Sequence, residues 1–384
     1  MNDRESESLG QASAAAPCGA PLDRRDVLRL GVGAGVAALA AFGSVRAARA
    51  AGVQAPAAPS ASGAVVPVPP PVNPRFPQVP SWTTELKELA PDVYAYIQGG
   101  GPGKDNVSIS NAGLIVGDDS VMVIDTLAAP IHARRFIDHV RKVTDKPFRH
   151  VINTHHHSDH VNGNQYFMPV EIVSHPYCRD EVVKMIPGPA LWPKREGWTD
   201  GTDPRRIVPP VTTFDTRMTY HYGRTVVELL FLGPAHTYGD IVAYLPQHKI
   251  LFAGDIAFYY VAPFAQNAHV TGWLEVVDRI MKMDVDRIVP GHGPLGGKRE
   301  LAEMGEYFEL LKREARPRYD ARVSPGRAAA EIQMGKFDNW IGPERIVMDT
   351  VRLYAEFAGT LTPDVDAEGN RRAMEEYLAL RARK

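Results

Sequence analysis

Short apolar runs bounded by turn residues recur along the chain beyond residue 83. Residues 93–97, 108–116 and 121–125 read as strands, and Gly117-Asp118-Asp119 joins the last two as a hairpin. A helical spacing follows over 130–143, with Ile131, Phe136, Ile137 and Val140 near one face. Strand 149–153 comes next, and the strand-helix-strand order returns after 171–173 and after 287–289. Between these lie hairpin-like strands at 219–222, 225–232, 241–245 and 250–253. Alternating strands and helices predict an α/β protein whose sheets are covered by helices, and argue against a bundle or an all-β sandwich. From about Arg316 the pattern is helical over 327–334, 344–357 and 371–382, with breaks near Pro325, Gly342-Pro343 and Pro363. No fixed-period repeat is visible.

The first 82 residues do not share this pattern. Arg24-Arg25 precede a Gly- and Ala-rich apolar run over 31–43, and Ala48-Arg49-Ala50 supplies a small-x-small cleavage pattern. The run falls short of the roughly 20 apolar residues a bilayer span needs, so residues 1–50 are expected to be a twin-arginine signal peptide and not a stable membrane span. The expected location is periplasmic or secreted, with the twin-arginine translocase as partner during export. This route suits a protein that folds before crossing. A retained signal anchor, or a basic amphipathic start to a cytoplasmic protein, is the alternative. Residues 51–82, rich in Pro, Ala and Ser, are expected to form a disordered tether. Residues 83–315 are then expected to form the main α/β domain and 316–384 a helical extension.

Composition adds limits. A chain of 384 residues that is 44% hydrophobic can bury a sizeable core, and a formal net charge of −2 offers no basic field for nucleic acid. Of the 2 cysteines, Cys18 would leave with the signal, and Cys178 is expected to be a packed helix residue in a mature chain with no internal disulfide.

The chemistry concentrates in His155-His156-His157-Ser158-Asp159-His160, directly after the apolar stretch ending at Thr154. Histidine nitrogens and carboxylate oxygens suit borderline cations such as zinc. His236 in Gly233-Pro234-Ala235-His236, Asp255 in Ala253-Gly254-Asp255, and His292 in Pro290-Gly291-His292 occupy comparable positions, expected at or just beyond strand ends. Together His155, His157 and His236 would make one site, Asp159, His160 and His292 a second, and Asp255 would bridge them. The expected cofactors are two zinc ions, with iron or manganese as alternatives. Two metals about 3.5–4 Å apart can share a hydroxide nucleophile and stabilise a leaving group. Asp159 and Asp255, the carboxylates of the set, are the candidates for a direct catalytic part.

From about Thr84 to Ala315 these residues resemble the metallo-β-lactamase superfamily of binuclear zinc hydrolases, in the order Asp125, H-x-H-x-D-H, His236, Asp255, His292. The resemblance implies a four-layer αβ/βα sandwich, and that Asp125 orients the site. Two departures narrow the function. Zinc β-lactamases of similar layout have a cysteine where this chain has Asp255, and a lysine where it has Phe258. The bridging aspartate is similar to that of glyoxalase II, lactonases and the family's tRNA-processing nucleases. The expected activity is cleavage of an ester, thioester, lactone or amide bond in a small molecule by a metal-bridging hydroxide. β-Lactam hydrolysis, and a non-hydrolytic metal-binding or redox accessory role, are the alternatives. Substrate identity and oligomeric state are not encoded in these motifs.

Around the set, Asp240 is expected to support a ligand and not to bind metal. His156 should point away from the metals toward solvent or a supporting contact. His269 either lines the pocket or precedes a helix. Phe258, Tyr259 and Tyr260 form an apolar wall or belong to the core. Loops 98–104 and 187–206, the latter with Trp192 and Trp198, either cover a substrate or connect elements.

Overall fold

The structure, a computed structural model, describes residues 73–382 except 105–108, 187, 189, 190, 193, 196, 197 and 200. The export signal and the tether up to residue 72 lie outside the described residues. One sheet holds, in spatial order, β1 (Glu85–Ala90), β2 (Val93–Ile97), β3 (Ala112–Val116), β4 (Val121–Ile124), β5 (Phe148–Ile152), β6 (Glu171–Ser174) and β7 (Thr212–Thr213). Its pairs from β1 to β4 are antiparallel and those from β4 to β7 parallel. Helix α1 (Pro130–Val140) connects β4 to β5, the short turns α2 (Ser158–Val161) and α3 (Asn164–Phe167) follow β5, and α4 (Pro176–Lys184) follows β6.

The second sheet comprises β8 (Arg217–Tyr222), β9 (Thr225–Phe231), β10 (Ile241–Leu245), β11 (Ile250–Phe258) and β12 (Arg287–His292), with β8 and β12 at its edges. Helix α5 (Val270–Lys282) makes the crossover between the parallel pair β11 and β12, as parallel strands require. Helices α6 (Lys298–Asp320), α7 (Pro325–Glu331), α8 (Ile346–Ala358) and α9 (Ala367–Arg381) complete the chain.

Strand alternation assembles these pieces into four layers. In β4, Met122 and Ile124 face the second sheet, while Val121 and Val123 face outward beneath Phe136 and Val140 of α1. In β11, Ile250 and Phe252 enter the core between the sheets, and Leu251 and Ala253 pack outward under the later helices. Helix α5 presents Trp273, Val276, Val277 and Ile280, a helical stripe, to that outer cluster. The arrangement is the expected αβ/βα sandwich with helices added at the C-terminus.

Several boundaries differ from the sequence pattern. The strand expected over 108–116 is observed from Ala112. The strand expected to stop before Asp255 runs on to Phe258 with all of its residues buried, so Asp255 lies inside β11, where the pairing with β12 loses register. The boundary drawn at 315/316 falls inside α6, a single helix. Residues 73–79, assigned by composition to the tether, are held on the fold. The Asn339 side-chain amide donates to the carbonyls of Asn73 (3.0 Å), Phe76 (3.1 Å) and Pro77 (3.1 Å), and Val79 is buried. That anchor comes from far along the chain, where composition carries no trace of it.

The C-terminal helices share the outer apolar cluster with β11 and α5. Leu353 of α8 is fully buried there. Leu353→Ala should therefore lower the unfolding free energy by about 2–5 kcal/mol, the range for deleting a buried leucine side chain. Denaturant titration followed by circular dichroism checks this, and a loss under about 0.5 kcal/mol would mean that α8 is not part of the cooperative fold.

Candidate metal centre

The site forms where β4 and β5 end side by side. Asp125 follows β4 in the left-handed region, φ 58°, and its backbone N–H donates to Ile152 at the end of β5. From this position its carboxylate accepts the Thr154 N–H (2.8 Å) and the Thr154 hydroxyl (2.7 Å), and lies 2.8 Å from His160 Nδ1. An ionised carboxylate only accepts, so His160 Nδ1 carries a proton, and Nε2 is the nitrogen left to bind a metal once its own proton is lost.

The same bookkeeping extends to its neighbours. The Thr154 hydroxyl donates to Asp125, so its oxygen accepts from His155 Nδ1 at 3.1 Å and leaves His155 Nε2 bare. His157 is turned the other way. Its Nε2 lies 3.0 Å from the Asn267 side-chain oxygen Oδ1, which leaves Nδ1 facing His236 Nε2 at 2.7 Å.

The backbone around Asp255 is shaped for close approach. Gly254 has φ 51°, and a Cβ there would lie 2.6 Å from Thr154 Oγ1. A Cβ on Gly291 would lie 1.9 Å from Asp255 Oδ1. With both positions open, the Asp255 carboxylate reaches His160 Nε2 at 3.0 Å, His236 Nε2 at 3.2 Å, His292 Nε2 at 3.4 Å and His155 Nε2 at 3.7 Å. Asp159 lies 3.2 Å from His292 Nε2 and 3.8 Å from His160 Nε2.

All seven residues expected to bind metal thus meet in two groups, His155, His157, His236 and Asp255, and Asp159, His160 and His292. Within each, the ligand atoms lie inside 4.8 Å of one another. Asp255 also touches two members of the second group.

The residues fit a metal centre on their own chemistry. His155 Nε2, His160 Nε2 and Asp255 Oδ1 are buried without a hydrogen-bond partner, although His160 Nε2 and Asp255 Oδ1 are only 3.0 Å apart. Such orphaned atoms are costly unless something else engages them. Burial drives His155 and His236 well below the ordinary imidazole range, leaving them neutral as ligation requires. Burial opposes charge on His160 and His292 too, but Asp255 above all, with Asp159, outweighs it and raises both. Burial likewise works against ionised Asp255, yet His292, His160 and His236 hold it well below the usual carboxylate range.

The remaining sequence candidates separate cleanly. Asp240 accepts the Thr237 N–H (2.6 Å) and hydroxyl (2.9 Å), which fixes the turn carrying His236. Burial raises its carboxyl to about 7 despite those bonds. His156 belongs to neither group, and it is buried near the Tyr177 ring (5.7 Å) instead of reaching solvent. His269 caps α5 by accepting the Gly272 N–H at 2.8 Å. Phe258 stacks on His292 with centroids 5.0 Å apart, whereas Tyr259 is buried and donates to the Gly297 carbonyl, and Tyr260 packs toward Trp340. Cys178 is buried in α4, where burial raises its thiol.

Of the two loops, 98–104 pairs with Trp82 through Gly100, and none of it is among the described residues lining the cleft at the centre. Trp192, Arg195, Trp198 and Arg205 of the other line a separate cavity of about 850 Å³ that reaches Asp159.

Three contributors escaped the sequence reading, namely Thr154, Asn267 and the face of α8. Thr154 had one local signal, its place immediately before His155. Arg345, immediately before the helix, and Asp349, Arg352 and Glu356 on it recur at helical spacing and tie down residues 262–271, the segment carrying Asn267. Arg345 donates to the Ala262 carbonyl (2.7 Å), Asp349 accepts the Ala265 N–H (2.9 Å), Arg352 bonds the Ala268 carbonyl, and Glu356 accepts the Thr271 hydroxyl (2.8 Å).

Comparison with known proteins agrees with this geometry. Residues 105–292 match the family described as Metallo-beta-lactamase superfamily. A linear primary-alkylsulfatase of Pseudomonas sp. (strain ATCC 19151) is 24% identical over 231 residues, covering 50% of this chain and 43% of that protein. A metallo-beta-lactamase type 2 of Bacillus sp. (strain 170) is 27% identical over 170 residues, covering 43% of this chain and 59% of its own. Among solved structures, a stereoselective inverting sec-alkylsulfatase from Pseudomonas sp. superposes with a TM-score of 0.54 at 17% identity. The match covers 72% of this chain and 51% of that one, and shows a shared fold. The chain spans about half the length of the curated relatives it matches. The family match and the αβ/βα layers around the histidine and aspartate cluster lead to one conclusion: the chain has the metallo-beta-lactamase fold, and its residues 105–292 are similar in sequence to that superfamily.

Proposed function

We propose that this protein is an exported metal-dependent hydrolase that cleaves an ester, thioester, lactone or amide bond in a small molecule. The single observation that carries the reading is Asp255, buried between two groups of metal-ligating side chains and in reach of both. Divalent cations held there, two zinc ions or iron or manganese in their place, would supply Lewis acidity and an activated water. The likeness to a linear primary-alkylsulfatase adds sulfate esters to the candidate bonds. Asp255 and Phe258, in the positions of the cysteine and lysine of similar zinc β-lactamases, weigh against a dedicated β-lactamase.

The chain's own groups divide the work. Asp125 holds the proton on His160 Nδ1, and through the Thr154 hydroxyl it fixes the one on His155, so Nε2 of both rings points inward as the ligating position. Asn267 does the same for His157 from the opposite side. Asp159, whose side chain is 17% exposed, is the carboxylate of the set that faces the opening, and so is placed to exchange a proton with substrate or water. Phe258 and Phe264 shield the cleft from bulk water, which strengthens every polar interaction inside it.

Two outcomes follow. The metal-loaded protein should turn over at least one member of a panel of chromogenic esters, thioesters, lactones, amides and sulfate esters, and Asp255→Asn should abolish that turnover. The variant should also bind metal at least as weakly as proteins that lose a group orienting a ligand, about 10–100-fold. Elemental analysis and initial rates check both, and two bound metal ions with no turnover across the panel would overturn the hydrolase reading. For export, replacing Arg24 and Arg25 together by lysine should leave the precursor in the cytoplasm on cell fractionation. Normal export of the double variant would contradict the twin-arginine assignment.

A further inference from the structure

The cleft above the centre, about 530 Å³, is walled by Phe258, Phe264 and Arg345, and Ser158 and Asp159 complete its lining on the metal side. The same two residues also line the separate cavity of about 850 Å³. A molecule whose reacting bond lies at Asp159 can therefore extend into both. The second cavity is the larger, and its size suits a small-molecule site. Ala128 and Ala129, both buried, line it with short side chains that leave its volume open. Trp192 and Trp198 give it an aromatic wall, and each indole is braced by a guanidinium. The Arg205 carbon lies 5.5 Å from the Trp192 ring centroid and the Arg195 carbon 3.4 Å from that of Trp198. His132 meets Trp198 in a T-shaped contact, centroids 4.9 Å apart, and burial, aided by Arg135 and Arg195, lowers its imidazole to about 4, so the contact is uncharged at neutral pH. Asn162, 7% exposed, lines the cavity just after α2. Its Nδ2 donates to the Ala128 carbonyl (3.3 Å), which sets the amide's orientation and leaves Oδ1 buried without a hydrogen-bond partner. A buried acceptor with nothing to accept calls for an occupant that donates.

We propose that this second cavity is an aryl subsite, which takes a neutral aromatic ring bearing a hydrogen-bond donor. The ring packs against Trp192 and Trp198, and its O–H or N–H donates to Asn162 Oδ1. Substrates are then compounds that carry such a ring on the Asp159 side of the bond to be cleaved. This deepens the hydrolase reading and rests on it for the use made of the ring.

The test is binding, measured by isothermal titration calorimetry on the metal-loaded full-length protein with three neutral probes. Phenol has the ring and the donor, anisole the ring alone, and cyclohexanol the donor alone. The wild type should bind phenol about threefold or more tightly than either of the others, the worth of one aromatic contact or one hydrogen bond. Metal ions also attract a phenol oxygen, so the decisive comparison is between variants of equal metal content. Trp198→Leu keeps an apolar wall and should remove most of the margin over cyclohexanol, whereas Trp198→Phe should retain it. Asn162→Ala should bring phenol down to the level of anisole and leave anisole binding unchanged. Equal binding of the three probes by the wild type, or undiminished margins in whichever of Trp198→Leu and Asn162→Ala folds, overturns the proposal. Because the readout is binding, ring selectivity without turnover would refute the hydrolase reading alone, and turnover without selectivity would refute the subsite alone.

Discussion

The carboxylate of Asp255 is buried against four imidazole nitrogens at 3.0–3.7 Å, and the architecture around it follows from making that placement tolerable. A buried charge is expensive unless opposite charge and aligned donors surround it. His160 and His292, both raised by the carboxylates, supply that charge, while the neutral His155 and His236 would face the carboxylate through a cation, and the sandwich brings all four from separate elements. The end of β5 and the turns after it bring His155 and His160, the turn after β9 brings His236, and β12 ends in His292. Two glycines, Gly254 and Gly291, remove the Cβ atoms that would hold these elements apart.

Around this core the supporting groups act as one network. Asp125 touches Thr154 and His160, Thr154 passes the orientation to His155, and Asn267 sets His157 from the segment that follows β11. That segment is held by α8, whose charged stripe ends at Arg345 on the wall of the cleft. The C-terminal helices therefore belong to the site as much as to the fold. Asp349 illustrates the coupling: burial lifts its carboxyl to about 7 even though Tyr307 and the Ala265 N–H both donate to it.

Much of the centre was legible from residues alone because its ligands sit in short local signals. The run from His155 to His160 is contiguous, and His236, Asp255 and His292 each follow apolar stretches. The central strands were legible too, since uninterrupted apolar runs at 121–124 and 250–253 fit strands buried on both faces. What could not be read is set by long-range packing. Nothing near Asn267 or Arg345 in the sequence marks them as neighbours of a histidine cluster. Nor does Asn339 announce that it holds residues 73–77. Asp255 was expected at a strand end, but β11 continues past it, because the residues up to Phe258 are apolar enough to stay buried and Gly254 allows the irregular register.

The central claim is that Asp255 joins two metal sites into one centre. A crystal structure of the protein purified with zinc, phased and mapped by anomalous scattering at the zinc edge, tests it most directly. The account predicts two zinc ions about 3.5–4 Å apart, one among His155, His157 and His236, the other among Asp159, His160 and His292, with the Asp255 carboxylate in contact with both. A single zinc ion at full occupancy, or two ions with Asp255 bound to neither, would contradict it.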